Sequence, residues 1–176
     1  MTSAKTGEGI KELLDAIITK IPAPKGDASK PLQGLIFDSI YDSYRGVLTA
    51  VRIFNGSVKK GDTIYMLESK ASYEVLSILK NTPKEVEVNS LSTGEVGYIY
   101  ASIKSISDVH VGDTITLNST KDKVESLPGY KKLKSVVYCG LYPIETNQFE
   151  ELRDSLAKLK LNDAALVYEP ETSVAL

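Results

Sequence analysis

A seven-residue pattern occurs twice in the chain, and it constrains the fold more than any other feature. Residues 58–64 are VKKGDTI and residues 109–115 are VHVGDTI, so five of the seven positions are identical. Glycine permits a sharp bend, and the aspartate side chain can accept hydrogen bonds from backbone amides in such a turn. Chance similarity within turn-rich β sequence is one interpretation. The other, which we favour, is a closed β structure that uses the same corner twice.

The stretch around the first copy, residues 45–64, is predicted to form a strand, a tight turn and the start of a second strand. β-branched residues alternate along residues 47–53, which favours a strand buried largely on both faces. Asn55 and Gly56 supply the backbone conformations that a hairpin turn needs. Strand signals continue as far as residue 117. The predicted strands lie near residues 32–41, 46–55, 62–68, 72–80, 94–101 and 113–117.

Short strands at this spacing, joined by Gly, Asn and Asp turns, indicate an antiparallel β-barrel or sandwich. Closure into a barrel would remove exposed strand edges. Residues 83–88 alternate charged residues with valine, and we interpret them as a half-exposed loop or an edge segment.

An amphipathic helix is predicted before the barrel. Apolar residues recur from Ile10 to Ile21 at the spacing of one helical face. Thr6 is the predicted N-cap, and Pro22 ends the helix. Residues 25–31 are rich in Pro, Gly and small polar residues, and they are predicted to form a linker.

A β–α–β pattern is predicted after the barrel. A strand over residues 135–141 precedes a helix over residues 147–159, and a second strand follows at residues 165–168. Thr146 or Asn147 is the predicted helix cap. The only cysteine, Cys139, lies in the apolar run of the first strand, which predicts a buried core thiol.

Composition indicates an ordinary globular chain without a catalytic constellation. The 176 residues are 42% hydrophobic and 25% charged, with a single histidine and a net charge of −2. Strong whole-molecule attraction to nucleic acid is therefore excluded, and any RNA contact needs a local basic patch. The candidate cations form two clusters, Arg45, Arg52, Lys59 and Lys60 in one and Lys131, Lys132 and Lys134 in the other. A solvated turn without a partner is the alternative interpretation of each cluster.

Several motifs together resemble the elongation factor 4 (LepA) family of translational GTPases. They are the paired Gly-Asp corners, the Ser-Ala-Lys triplet before the helix, GEVG at 94–97, GLYP at 140–143, LRDSLAKLKLNDAAL at 152–166 and EPETSVAL at 169–176. The resemblance implies a mostly β fold with an α+β part. An antiparallel barrel of translation-factor type would be preceded by one helix of the GTPase domain and followed by a partial ferredoxin-like, split β–α–β domain.

The resemblance also implies the domain boundaries. Residues 1–24 would be the end of the GTPase domain and residues 25–31 the linker. Residues 32–127 would form the second, barrel domain, and residues 128–176 an incomplete third domain.

The function that the resemblance implies belongs to a longer protein. Such a protein would be a bacterial, ribosome-dependent GTPase that uses GTP and Mg²⁺ in protein synthesis and acts in tRNA back-translocation or the rescue of stalled ribosomes. Ser3, Ala4 and Lys5 would be the remnant of its guanine-recognition loop, with the Ala4 amide donating to the guanine carbonyl oxygen. The phosphate-binding GxxxxGK[ST] loop does not occur in this sequence, so this chain is expected neither to hydrolyse GTP nor to hold a cofactor or metal.

Partners and location follow from the same resemblance. The partners would be ribosomal RNA, ribosomal proteins and tRNA, without an obligate oligomer. The protein would be cytoplasmic, with peripheral association at the inner face of the cell membrane. Two alternatives are another translational GTPase, of the BipA or ribosome-protection type, and a stand-alone β-barrel binding module.

Overall fold

The chain forms two α-helices and nine β-strands within the residues that the computed structural model describes, namely 1–42, 44, 46–103, 108–129, 136–163 and 165–171. The helices are α1 (Ile10–Lys20) and α2 (Phe149–Asn162). Short 3-10 turns lie at Asn118–Lys123 and Thr146–Gln148. The strands are β1 (Gln33–Asp42), β2 (Gly46–Asn55), β3 (Ser57–Lys59), β4 (Thr63–Met66), β5 (Ser72–Asn81), β6 (Glu85–Val88), β7 (Ser90–Ser92), β8 (Val96–Ala101) and β9 (Thr114–Leu117).

Six antiparallel strands form a closed ring. Their order is β4-β9-β1-β2-β8-β5, and β5 pairs back onto β4. Every ring strand thus has a hydrogen-bonded neighbour on both sides, which leaves no open sheet edge in the ring. β6 extends outward from β5, while β3 and β7 form a separate two-stranded ribbon. The predicted antiparallel barrel is confirmed.

The ring encloses the main hydrophobic core. β-branched side chains suit this interior because they pack well on a pleated, inward-facing surface. The buried residues include Ile36, Val51, Ile53, Ile64, Ile78, Ile99 and Ile115. A smaller cluster of Leu48, Leu79 and Tyr100 lies beside it.

The strand predictions hold for every strand of the ring, with ends that differ by a few residues. Residues 83–88 contain β6, which among the described strands pairs only with β5 and is therefore an edge strand, one of the two predicted alternatives. The ribbon of β3 and β7 was not predicted. Each of its strands is three residues long, too short to show a period-two pattern.

Helix α1 has the predicted position but a different start. Gly9, with φ of 69°, precedes its first residue, so the predicted cap at Thr6 is wrong. The Thr6 amide instead donates to Ser3 Oγ at 3.3 Å, which places Thr6 in the preceding turn. None of the eleven residues of α1, all of them described, is buried. Its apolar stripe, including Leu14 and Ile18, is exposed.

The strands predicted on either side of α2 are not formed. The described residues 136–141 and 165–168 adopt no strand, because an extended segment becomes a strand only when a neighbour accepts its hydrogen bonds. Cys139 is consequently exposed, and the prediction of a core thiol is wrong. The predicted caps are wrong as well, since Thr146 and Asn147 lie in a 3-10 turn and Gln148 precedes α2.

The C-terminal end of α2 packs against β1. Leu161 is 4% exposed and joins the main core of the barrel. Ser39, itself buried, donates from Oγ to the Leu161 carbonyl oxygen at 3.0 Å. The Lys158 ammonium lies 5.1 Å from the centre of the Tyr41 ring. Among the described residues, the buried Leu161 side chain, the hydrogen bond from Ser39 and the cation–π contact of Lys158 with Tyr41 help to hold α2 on the barrel.

We expect Leu161→Ala to lower the free energy of unfolding by about 2–5 kcal/mol, because it removes a buried side chain and leaves a cavity in the core. Urea denaturation followed by circular dichroism measures the change. Leu159→Ala is the matched control, since Leu159 lies in the same helix and is 50% exposed. Equal losses in the two variants would show that Leu161 is not part of the barrel core.

Candidate nucleic-acid interface and guanine-loop segment

The predicted guanine-loop residues lie in a tight turn before α1. The Gly7 amide donates to the Ser3 carbonyl oxygen at 2.9 Å, and the Ser3 amide donates to the Glu8 carbonyl oxygen at 3.0 Å. Ser3 is half-buried and closes the turn, whereas Ala4 and Lys5 are exposed at its tip. The structure thus presents Ala4 and Lys5 on a short loop that local hydrogen bonds hold in shape.

The first Gly-Asp corner joins β3 to β4. Gly61 has φ of 86°, a conformation that favours glycine. Its amide donates to the Val75 carbonyl oxygen at 2.8 Å, and the Val75 amide donates to the Asp62 carbonyl oxygen at 2.9 Å. Asp62 Oδ2 also accepts from the Lys59 amide at 2.8 Å. The corner is therefore bonded both within itself and to β5.

The second corner repeats this bonding on another strand. Gly112 has φ of 98°. Its amide donates to the Ile36 carbonyl oxygen at 2.7 Å, and the Ile36 amide donates to the Asp113 carbonyl oxygen at 2.9 Å. The strands that follow the two corners, β4 and β9, pair with each other. The prediction of one corner used twice in a closed β structure is confirmed.

The two corner aspartates differ in burial. Asp113 is 3% exposed, and its Oδ1 accepts from the amides of Glu68 at 2.9 Å and Thr114 at 2.6 Å. Its Oδ2 is buried without a hydrogen-bond partner among the described residues. Burial raises the pKa of the Asp113 carboxyl, although the backbone amides that donate to it act in the opposite direction. Asp62, by contrast, is partly exposed.

The structure separates the two corner lysines. Lys59 is exposed on β3. Lys60 forms an ion pair with Glu87 of β6, with 3.0 Å between Nζ and Oε1. The sequence did not reveal this partner, because Glu87 is distant in the chain and is brought near through the pairing of β5 and β6. Of these two lysines, Lys59 is therefore the one whose charge the described acidic residues leave open to a partner.

Arg52 is the one other predicted cation among the described residues, and its contacts with Phe54 and a neighbouring groove lie away from this corner. Arg52 stacks over the Phe54 ring at 4.6 Å from its centre. It lines a groove with Pro24 and Gly94 beside the segment that follows α1. Arg45, Lys131, Lys132 and Lys134 lie outside the described residues.

Two further kinds of feature are missing from the described part of the chain. Within the described ranges, no group of three His, Cys, Asp or Glu side chains is placed to hold a metal ion. None of the helices formed by these residues is long and apolar enough to cross a lipid bilayer.

The closed ring and its corners define a class of protein module. Residues 46–116 match the family model of elongation factor Tu domain 2. A crystal structure of a protein from Thermus thermophilus has a TM-score of 0.71 and 22% identity, covering 93% of this chain and 24% of that one. At 22% identity, this similarity shows that the two proteins share a fold and nothing more. The chain thus contains a β-barrel of the elongation factor domain 2 class.

Similarity along the whole chain is more specific. The chain is 52% identical over 176 residues to an elongation factor 4 from Streptococcus equi subsp. zooepidemicus, covering 100% of this chain. It is 53% identical over 174 residues to an elongation factor 4 from Phytoplasma australiense, covering 99% of this chain. The chain is a homologue of elongation factor 4. It spans 29% of the length of each of these relatives.

We expect Asp113→Asn to stabilise the protein at neutral pH. A carboxyl whose pKa is raised in the folded state favours folding when protonated, so its ionisation lowers stability as pH rises through the folded-state pKa. Asparagine is never ionised, and its Oδ1 can still accept the amides of Glu68 and Thr114. The gain should shrink as the pH is lowered toward about 4, close to the ordinary pKa of aspartate.

Thermal unfolding at a series of pH values measures this difference. Asp62→Asn, the equivalent change at the partly exposed corner, is the control and should show a smaller gain. A lower melting temperature of Asp113→Asn at neutral pH would contradict the prediction.

Proposed function

We propose that this chain is the barrel-containing part of a ribosome-dependent GTPase of the elongation factor 4 type. The observation that carries the proposal is the 52% identity to elongation factor 4 over all 176 residues. The chain corresponds to 29% of such a protein, so catalysis would lie mainly in other parts. The role of this part is to dock on the ribosome and to couple the nucleotide domain to the domains that follow.

The packing of the elements supports the proposed domain boundaries. Residues 1–24 are the end of a GTPase domain, which accounts for the exposed apolar stripe of α1: the rest of that domain would cover it. Residues 25–31 connect this helix to the barrel domain at 32–127.

Residues 128–176 are proposed to begin a split β–α–β domain. Several apolar side chains between residues 136 and 144 are highly exposed, among them Val136, Tyr138 and Ile144. The strand predicted at residues 135–141 would become buried once the remaining strands of that domain supply hydrogen-bond partners. In the complete protein, α2 would then lie between this sheet and the barrel.

GTP and Mg²⁺ are proposed as cofactors of the complete protein. The turn of Ser3, Ala4 and Lys5 fits one part of a guanine site, because the exposed Ala4 can present its amide to a base. The described residues offer no acidic cluster for Mg²⁺. Hydrolysis of the bound GTP would supply the free energy in the complete protein, and this chain would contribute the turn that contacts the base.

Lys59 is the proposed contact to ribosomal RNA on this part of the chain. It is exposed at the first corner, and the hydrogen bonds of that corner fix its backbone. Lys60 contributes less, since its ammonium is paired with the Glu87 carboxylate. Lys131, Lys132 and Arg45 are further candidates from the sequence. The complete factor would act in the cytoplasm and at the membrane surface, on ribosomes that carry tRNA.

We expect the chain to co-sediment with bacterial 70S ribosomes at low salt. Lys59→Ala should reduce the slope of log affinity against log salt by about one unit, because one phosphate contact is lost. Lys60→Ala should reduce it less, owing to the ion pair with Glu87. Lys11→Ala, an exposed lysine of α1, is the control and should leave the slope unchanged.

Each result has a definite meaning for the proposal. If the slope of log affinity against log salt is the same in all three variants, Lys59 does not contact RNA, although the chain still docks on the ribosome. Absence of binding by the folded chain at low salt would contradict docking by this part of the protein.

A further inference from the structure

Two side-chain amides form a continuous hydrogen-bonded chain across one end of the barrel. The Asp27 backbone amide donates to Asn55 Oδ1 at 2.9 Å. Asn55 Nδ2 donates to Gln33 Oε1 at 2.8 Å. Gln33 Nε2 then donates to the Glu125 carbonyl oxygen at 2.8 Å. We call Asn55 and Gln33 the amide clasp.

The clasp joins the two connections of the barrel. Asp27 belongs to the entering segment, residues 22–32, which leads from α1 into β1. Glu125 belongs to the leaving segment, residues 124–129, which follows β9 and its 3-10 turn. The two segments are separated by the whole barrel in sequence, and the clasp bridges them through the ends of β1 and β2.

The direction of the hydrogen bonds is fixed at both ends. The Asp27 N–H can only donate and the Glu125 carbonyl can only accept, so each side chain between them must offer one acceptor and one donor. A carboxylamide satisfies this demand, whereas a carboxylate only accepts. Replacing Asn55 with aspartate, or Gln33 with glutamate, therefore places two hydrogen-bond acceptors opposite each other in the clasp.

The entering segment is fixed more tightly than its linker-like composition suggests. The Gly56 amide donates to the Asp27 carbonyl oxygen at 3.0 Å, and Asp27 Oδ1 accepts from Ser29 Oγ at 2.6 Å. At Gly26 the segment passes so close to β2 that an added Cβ would lie 2.0 Å from the Phe54 carbonyl oxygen. Only glycine fits this position without a backbone shift.

The leaving segment is bonded to the same end of the sheet. The Leu127 amide donates to Thr114 Oγ1 at 2.8 Å, which ties it to β9. Glu125 is bonded to Gln33 at the start of β1, next to the entering segment. Loss of the clasp would leave each segment with its own remaining bonds but without this connection between the two.

We propose that the amide clasp couples the entering and leaving segments, so that opening of one increases the opening of the other. Such coupling is reciprocal, because the same free energy acts in both directions. The coupling follows from the hydrogen-bond geometry and does not depend on the proposed function.

Limited trypsin digestion tests the coupling at two peptide bonds, one for each segment. Trypsin cleaves after lysine; Lys25 is exposed within the entering segment, and Lys123 is exposed directly before the leaving segment. Asn55→Asp and Gln33→Glu should each increase cleavage at both bonds about tenfold, the effect of losing one or two hydrogen bonds. Asn147→Asp, the same chemical change at an exposed position before α2, should change neither rate.

The pattern of cleavage shows whether the clasp couples the two segments or whether each segment is held by its own hydrogen bond. If Asn55→Asp accelerates cleavage only at Lys25, and Gln33→Glu only at Lys123, the segments are independent and the proposal is wrong.

Amide hydrogen exchange separates coupling from general destabilisation. Asn55→Asp should lower the protection of the Leu127 amide, on the far side of the clasp, while Val51 at the centre of β2 keeps its protection. An unchanged Leu127 amide, or an equal loss of protection at Val51, overturns the proposal.

Discussion

Closure of the six-stranded ring depends on one short strand. β4 has four residues, yet it pairs with β5 on one side and with β9 on the other. Ile64 and Met66 from this strand are fully buried. Without β4 the sheet would have two exposed edges, and its inward-facing residues would be open to solvent along one side. The remaining features of the molecule are arranged around this closure.

The Gly-Asp corners make the closure possible. Each corner turns the chain sharply into one of the two strands β4 and β9, and bonds to a further strand of the ring. The buried Asp113 adds a bond to the turn that follows β4, through the Glu68 amide. The first corner is more exposed and carries Lys59. The same backbone arrangement thus joins strands of the ring at both corners, and the first corner also presents the exposed Lys59.

Much of this arrangement was predictable from the sequence, because its signals are local. The repeated VxxGDTI pattern and the Asn55-Gly56 turn predicted the barrel. Interactions that depend on pairing between distant segments were not predictable. Lys60 meets Glu87, and Gln33 meets Glu125, only after the strands have assembled. The strand expected at residues 135–141 shows the converse: its sequence favours a strand, but among the described residues no partner strand pairs with it.

Because β1 pairs with β9, the barrel cannot close until its last strand has been synthesised. Gly34 pairs with Ile115, so the ring requires the first and the last of its strands together. While the chain emerges from the ribosome, β1 has an open edge until the rest of the barrel has been made. Contacts of such long sequence separation form slowly, since the intervening chain must first be ordered. During this interval the nascent barrel exposes strand edges that can pair with other chains, and chaperone binding would be of most use there.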